Sequence, residues 1–326
     1  MVRIVTRSDV EAVLDLREVI EAVEHAHRQL VLGGATQPGR ACAPIPGNDG
    51  LLVPMTATVD GAGGVKLLAD LPGNPESGRP RQQSSIILVD TATGRPEALL
   101  DGAVLTRFRT AAASAVATRA LSNPDSSVLG LIGAGALARA HLEAIAVVRP
   151  IRTVVVWSRD PATAQAFRDE MAGSGREICV AETPVEAVQA ADVVCTLTPA
   201  VDPIVRGAWL RPGQHLNVVG APPRPHHREI DAECLRRARV VVDSRHTALT
   251  ESGAAITALR EGAISEQQLE TELGEVLAGV CPGRTGRTEI TLFNSVGVAV
   301  QDIATAALVL RHVAAKGLGV EIALDR

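Results

Sequence analysis

Val128-Leu129-Gly130-Leu131-Ile132-Gly133-Ala134-Gly135-Ala136-Leu137-Ala138 is the stretch on which the fold turns. Five apolar residues suited to a buried strand run into a glycine-rich turn, and small residues then open a helix. In that context the G-x-G-x-x-A spacing has a mechanical reading. The first glycine makes the tight turn, the second lets a pyrophosphate approach the backbone, and the small Ala138 lets helix and strand pack closely. The helix N-terminus faces the phosphates. Gly133, Ala134, Gly135, Ala136, Leu137 and Ala138 are therefore candidate dinucleotide-binding residues.

Downstream, further apolar runs follow at Thr153-Val154-Val155-Val156-Trp157, Asp192-Val193-Val194-Cys195-Thr196, Leu216-Asn217-Val218-Val219 and Val240-Val241-Val242. Amphipathic stretches, including 162–172 and 184–190, separate them. Strands alternating with helices imply βαβ units and a doubly wound parallel sheet of Rossmann type. The second strand ends in Trp157-Ser158-Arg159-Asp160. An acidic residue there would serve the ribose hydroxyl of NAD, whereas a 2′-phosphate calls for an arginine. Ser158 can donate a hydrogen bond and the Arg159 guanidinium suits a phosphate. Asp160 is one place late, and with Pro161 behind it caps the next helix. NADPH (NADP) is expected over NADH.

Upstream the texture differs. Ser8 and Glu11 form a capping-box signature, with helical periodicity through Ile20 and Val23 to Gly33-Gly34. Residues 40–98 set short runs such as Leu51-Leu52-Val53 and Ile86-Ile87-Leu88-Val89 among Gly, Pro, Asn and Asp, as in an antiparallel β region. An Ala-rich helix over 106–121 ends at Asn123-Pro124. Ala-rich helical texture returns over 296–316. The expected organisation is an α/β Rossmann domain, residues 121–299, inserted into a discontinuous α+β domain made of 1–120 and 300–326.

Composition removes several classes. The 326 residues include 32 basic and 37 acidic side chains in no long block, few aromatics and no tyrosine. Such a chain has neither the charge footprint nor the stacking groups for nucleic acid. No apolar run reaches membrane-spanning length, and the N-terminus lacks a secretory pattern. Cys42, Cys179, Cys195, Cys234 and Cys281 show no C-x-x-C spacing, which fits a reducing compartment and calls for no metal. A soluble, cytoplasmic protein is expected.

Three cations stand out in the first domain. Arg40 follows Pro38-Gly39, Lys66 follows Gly63-Gly64-Val65, and Arg109 sits in a helix of small residues. Among such neighbours the charges of Lys66 and Arg109 are expensive without an anion. The sequence does not by itself bring the three together.

The chain resembles the ornithine cyclodeaminase/mu-crystallin family over nearly its full length. The most specific likeness is Asp101-Gly102-x-x-Leu105-Thr106-x-x-Arg109-Thr110-Ala111-Ala112. Others are Val53-Pro54-Met55, Gly64-Val65-Lys66, His215-Leu216-Asn217-Val218-Val219-Gly220-Ala221, Val242-Asp243-Ser244, Glu251-Ser252-Gly253, Leu273-Gly274-Glu275-Val276 and the run from Phe293-Asn294-Ser295 to Gln301-Asp302. The resemblance implies a homodimer whose discontinuous domain binds substrate and dimerises. It places Arg40, Lys66 and Arg109 on the substrate carboxylate, with Lys66 and Arg109 as the catalytic candidates, and adds Gln83 to the same pocket. Thr196, Thr198, Val219, Ser295 and Gly297 would border the nicotinamide.

One departure bears on chemistry. Cyclodeaminases of the family carry an Asp two residues after the glycine of the segment resembling Val219-Gly220. Here Gly220-Ala221-Pro222-Pro223-Arg224-Pro225 puts Pro222 there, which can neither shuttle a proton nor bind an amine. His226 and His227 follow in the same loop, read as surface residues. The resemblance therefore leans toward the ketimine-reductase members: reduction of a cyclic or linear α-imino acid to the amino acid. An ornithine or lysine cyclodeaminase, an amino-acid dehydrogenase and a non-catalytic crystallin-like ligand-binding protein are the alternatives.

Overall fold

In a computed structural model of the protein, residues 1–222 and 224–324 are described; Pro223, Asp325 and Arg326 lie outside them. The chain opens with β1 (Val2–Val5), α1 (Arg7–Val13) and α2 (Leu16–Leu32). Short β2 (Ala35–Thr36) and β3 (Ala43–Pro44) precede the longer β4 (Leu51–Val59), β5 (Ala62–Asp70), β6 (Gln82–Asp90) and β7 (Pro96–Asp101), and then α3 (Gly102–Leu121). Alternation follows: β8 (Val128–Ile132), α4 (Ala136–Val148), β9 (Thr153–Trp157), α5 (Pro161–Glu170), β10 (Glu177–Val180), α6 (Pro184–Ala190) and β11 (Val193–Thr196). It continues with β12 (His215–Val218), α7 (Ala232–Arg237), β13 (Arg239–Val242), α8 (Arg245–Glu251), α9 (Gly253–Arg260), α10 (Leu273–Leu277) and β14 (Thr291–Asn294). α11 (Ala299–Ala315) and β15 (Val320–Ile322) come last. No helix among the described residues is long and apolar enough to cross a membrane.

The chain forms two compact units, Met1–Thr110 with Val298–Arg326, and Ala111–Gly297. The first is built on a mostly antiparallel sheet in the order β15-β1-β7-β6-β5-β4-β2, with β3 also on β4. Asp60-Gly61 closes the β4–β5 hairpin with φ of 48° and 83°, the left-handed pair that a two-residue turn between twisted strands requires. α11 lies across β4, β5 and β6 and against α2. Close approach is possible because Gly64 carries no side chain: a Cβ there would stand only 3.0 Å from Ile303 Cδ1. Along β4, Val53, Met55, Ala57 and Val59 point into this core while Pro54, Thr56 and Thr58 face out. Lys66 occupies the inward row of β5 beside Leu68, where a hydrocarbon is the ordinary occupant.

Local details of the N-terminus differ from the sequence reading. The capping box is Thr6 with Asp9, not Ser8 with Glu11, because residues 2–5 are already committed to β1 and the helix starts two places earlier. Asp15 accepts from the Arg17 and Glu18 amides and starts α2 as a separate helix, which ends at Gly33 in a left-handed cap.

The second unit carries a parallel sheet in the order β10-β9-β8-β11-β12-β14-β13. Its central strands are buried on both faces, as a sheet covered by helices on two sides demands. The order runs outward from β8 in two directions, so the crevice at β8 and β11 is the switch point where open α/β sheets bind ligands. β14 pairs with both β12 and β13, yet Thr291-Leu292-Phe293-Asn294 is too short for its apolar content to announce a strand.

Candidate functional site

In the first unit the sheet and α11 bring two of the three sequence cations onto one carboxylate. Lys66 Nζ donates to Asp302 Oδ1 at 3.0 Å, and Arg109 Nε donates to the same oxygen at 2.9 Å. Lys66 and Asp302 are fully buried and Arg109 is 5% exposed. Arg109 Nη1 also donates to Gln301 Oε1 at 2.8 Å, and Gln301 Nε2 meets His27 Nε2 at 2.9 Å. Arginine can only donate, so Gln301 offers its oxygen to Arg109 and its amide nitrogen to His27, which must accept as a neutral ring. Burial, aided by the Arg109 charge, pulls His27 down to about 4. Burial also pulls Lys66 down to about 8, against the Asp302 carboxylate, which works to keep the ammonium charged.

Arg40 joins from the loop before β3. Its Nη1 lies 3.5 Å from Met55 Sδ, Met55 stands opposite Lys66 in the sheet register, and the Arg40 charge is felt at Lys66. Gln83 does not join. It pairs with Ala69, an odd number of residues from Lys66, and so stands on the outward face of the sheet, exposed. Asp302, Gln301 and His27 have no role in the sequence reading. The signal available was an acid and an amide inside an otherwise Ala- and Val-rich helix, where charge without a partner is costly.

In the second unit, the turn after β8 has the geometry its spacing implied. Gly133 has φ 115°, and a Cβ there would press to 3.0 Å from the Leu197 carbonyl oxygen. Gly135 caps α4 with no side-chain hydrogen bond; the Ala138 amide donates to the Gly135 carbonyl at 3.0 Å, and the Ala136 and Leu137 amides are left to an outside acceptor. A dinucleotide pyrophosphate fits that donor set. Ser158 and the exposed Arg159 follow β9. Asp160 is engaged elsewhere: it caps α5, accepting from the Ala162 amide at 3.2 Å and Thr163 Oγ1 at 2.7 Å, bonds that hold its carboxyl below the usual range.

At the ends of β11 and β12 lies a second buried carboxylate, Glu229, which the sequence reading passes over. It accepts from Thr196 Oγ1 at 2.7 Å, the Thr198 amide at 2.5 Å, Thr198 Oγ1 at 2.8 Å and the Gly220 amide at 2.7 Å. Burial raises its pKa and these four donors oppose the shift. Val219, Pro222, His227, Glu229 and Ser295 line one small cavity there. Ser295 Oγ and the Gly297 amide both donate to Asp243 Oδ2, at 2.9 and 2.6 Å. His226 is exposed as expected for a loop, but His227 is buried, its ring edge-on to His226 at 4.7 Å. Pro223 lies outside the described residues.

The profile of the ornithine cyclodeaminase/mu-crystallin family matches residues 2–317. The ketimine reductase mu-crystallin of Mus musculus is 38% identical over 279 residues, which cover 85% of each chain. Among solved structures, Δ1-pyrroline-2-carboxylate reductase of Thermococcus litoralis, in complex with NADH and L-proline, is 38% identical with a TM-score of 0.95, over 98% of this chain and 100% of that one. An archaeal alanine dehydrogenase dimer with bound NAD is 33% identical with a TM-score of 0.95, over 99% of both chains.

Proposed function

Because the chain belongs to the ornithine cyclodeaminase/mu-crystallin family, we propose that it is an NADPH-preferring reductase of α-imino acids, cyclic or linear, such as Δ1-pyrroline-2-carboxylate or Δ1-piperideine-2-carboxylate. The observation that carries this reading is the buried pair of cations on one carboxylate. Lys66 and Arg109 together exceed the charge of Asp302. A site with that balance is completed by an anion, and a planar carboxylate matches the guanidinium fork.

When bound, the dinucleotide supplies the hydride. The protein's own task is to hold the imino acid by its carboxylate and to manage one proton. As hydride adds to the imine carbon, the C=N π pair moves to nitrogen, which takes a proton from Lys66 Nζ. The neutral amine left on Lys66 is reprotonated before the next turnover. A pKa near 8 suits that exchange at neutral pH. Pro222 in place of the cyclodeaminase carboxylate removes the group that an amine-releasing reaction needs.

Coenzyme preference rests on Ser158 and Arg159, with Asp160 occupied as a cap. The test is steady-state coenzyme oxidation with each cyclic imino acid, NADPH against NADH, beside ammonia release from ornithine with NAD+. Ammonia release at a rate comparable to imine reduction would reverse the assignment. A second reading, reductive amination of a small 2-oxo acid, is favoured by the likeness to alanine dehydrogenase, and adding pyruvate with ammonia tests it.

The outward face of the first unit's sheet exposes Leu67, Ile87 and Leu99, which neighbour one another through the β5–β6–β7 pairing. A second copy of the chain is the proposed cover, as in a homodimer. Light scattering that returned the mass of a single chain would refute it.

A further inference from the structure

We propose that Asp302 and Gln301, consecutive on α11, are the positioning pair of the substrate site: Asp302 Oδ1 bridges the Lys66 ammonium to Arg109, and Gln301 fixes the guanidinium's roll. This rests on the reading of Lys66 and Arg109 as the groups that meet the imino acid.

The geometry is specific. Asp302 Oδ1 accepts one hydrogen bond from Lys66 and one from Arg109 Nε, within 3.0 Å of each, and neither Lys66 nor Asp302 touches solvent. Gln301 Oε1 accepts a third, from Arg109 Nη1. With Nε and Nη1 so engaged, the guanidinium plane cannot rotate, and the Nη2 end is left for a carboxylate. Gln301 is itself held from behind by His27, whose neutral ring accepts its amide proton. Every link in this chain has only one satisfiable direction, because arginine cannot accept and an imidazolium could not.

Composition points the same way. Of the 32 basic residues only Lys66 and Lys316 are lysines, so the chain uses arginine almost everywhere that a fixed charge suffices. A lysine kept at a fully buried position supplies what arginine cannot, a cation that can give up its proton. Asp302 then has a definite task. Burial and the nearby Arg109 charge push Lys66 toward the neutral amine, and Asp302 is the largest influence that opposes them. Without it, the proton needed at the imine nitrogen is gone at the pH where the enzyme works.

Two lysines also make the test direct. In protein labelled with 13C at lysine Cε, two signals are expected, and Lys316→Arg assigns them. Lys66 should titrate near 8, well below the 10.5 of an ordinary lysine, and Asp302→Asn should lower it by about one to three further pH units. In imine reduction, the alkaline limb of the kcat/KM profile should move down with it, while NADPH affinity by fluorescence titration stays unchanged. Gln301→Leu should raise the KM for the imino acid about tenfold without moving that limb. A Lys66 signal that titrates at the ordinary lysine value of 10.5 in the unaltered protein overturns the proposal and needs no variant. So does an Asp302→Asn protein whose Lys66 signal and alkaline limb stay in place. If the titrations behave as expected but no imine is reduced, the positioning pair stands and the substrate assignment falls.

Discussion

Asp302 and Glu229 are both carboxylates sealed from solvent, one in each unit, and they are compensated in opposite ways. Asp302 faces two formal cations through a single oxygen. Two hydroxyls and two backbone amides donate to Glu229. A charge held by neutral dipoles ties backbone segments to each other, here the ends of β11 and β12. A charge held by cations leaves those cations oriented and still in excess. The first arrangement suits a frame and the second suits the binding site proposed above, and substitutions in the two should have different consequences.

The largest difference is expected at Lys66. Lys66→Met keeps most of the aliphatic stem and removes the ammonium. Turnover of a cyclic imino acid should fall by about 10²- to 10⁴-fold, the usual worth of a positioned proton donor, with NADPH affinity unchanged. Equal losses in turnover and coenzyme affinity would mean the cation cluster is not confined to the substrate.

Glu229→Ala should instead be a stability variant. It strands the Thr196 and Thr198 hydroxyls and the amides of Thr198 and Gly220, at about 1–3 kcal/mol for each buried donor that finds no substitute. Denaturant unfolding should show the loss, and coenzyme binding should weaken because the rim residues Thr196, Thr198 and Val219 lose their tie. A variant with unaltered stability and impaired turnover would place Glu229 with Asp302 and erase the contrast.

Smaller again is the effect of Arg159→Asp, which alters only the exposed end of β9. Preference for NADPH over NADH should shrink by about ten- to a hundredfold, the worth of one charge-assisted contact. Indifference to the change, or equal affinity for both coenzymes in the unaltered protein, would remove Ser158 and Arg159 from coenzyme selection.

The two regions also differ in how far they could be read from sequence. Five of the seven strands of the parallel sheet were legible because each is a short apolar run bounded by turn signals, and the glycine turn after β8 states its own geometry. Lys66 and Arg109 were legible as charges in small or apolar surroundings. Asp302, Gln301 and His27 were not, since a helix records one buried face every three or four residues and says nothing of which distant chain segment it meets. Glu229 lay hidden for a similar reason: its partners are backbone amides and threonine hydroxyls, which leave no charge pattern. Gln83 was assigned by resemblance alone, and the period of two along β6 puts it on the face away from Lys66 once the register with Ala69 is known. β10 and β14 were missed because polar residues at their ends, Glu177 in one and Thr291 and Asn294 in the other, cut their apolar runs short.

The smallest effect per event, and the one that both units share, is titration of buried histidine. His27 sits behind the cation cluster, facing Arg109; His141 lies against Ser114 and the Leu137 carbonyl; His215 lies among Thr291, Asn217, Arg284 and Arg149. Burial is the first cause in each, pulling His27 and His141 down to about 4 and His215 to about 3. In the unfolded chain each titrates near 6.5, so between that value and the folded value the unfolded state binds more protons. Stability is therefore full above about pH 6.5 and falls as pH drops toward 4, by on the order of 1.4 kcal/mol per pH unit for each histidine. Urea unfolding at about pH 7.5, 6.0 and 5.0 should show that decline, steeper than any single histidine allows. Replacing His215 with Gln should flatten part of it, while His27→Gln should flatten a similar part and also disturb the substrate KM through Gln301 and Arg109. A stability that stays level across that range would mean these rings are not held neutral. A His27 variant with an unchanged KM would separate it from the cation cluster, leaving it an ordinary core residue like the two in the other unit.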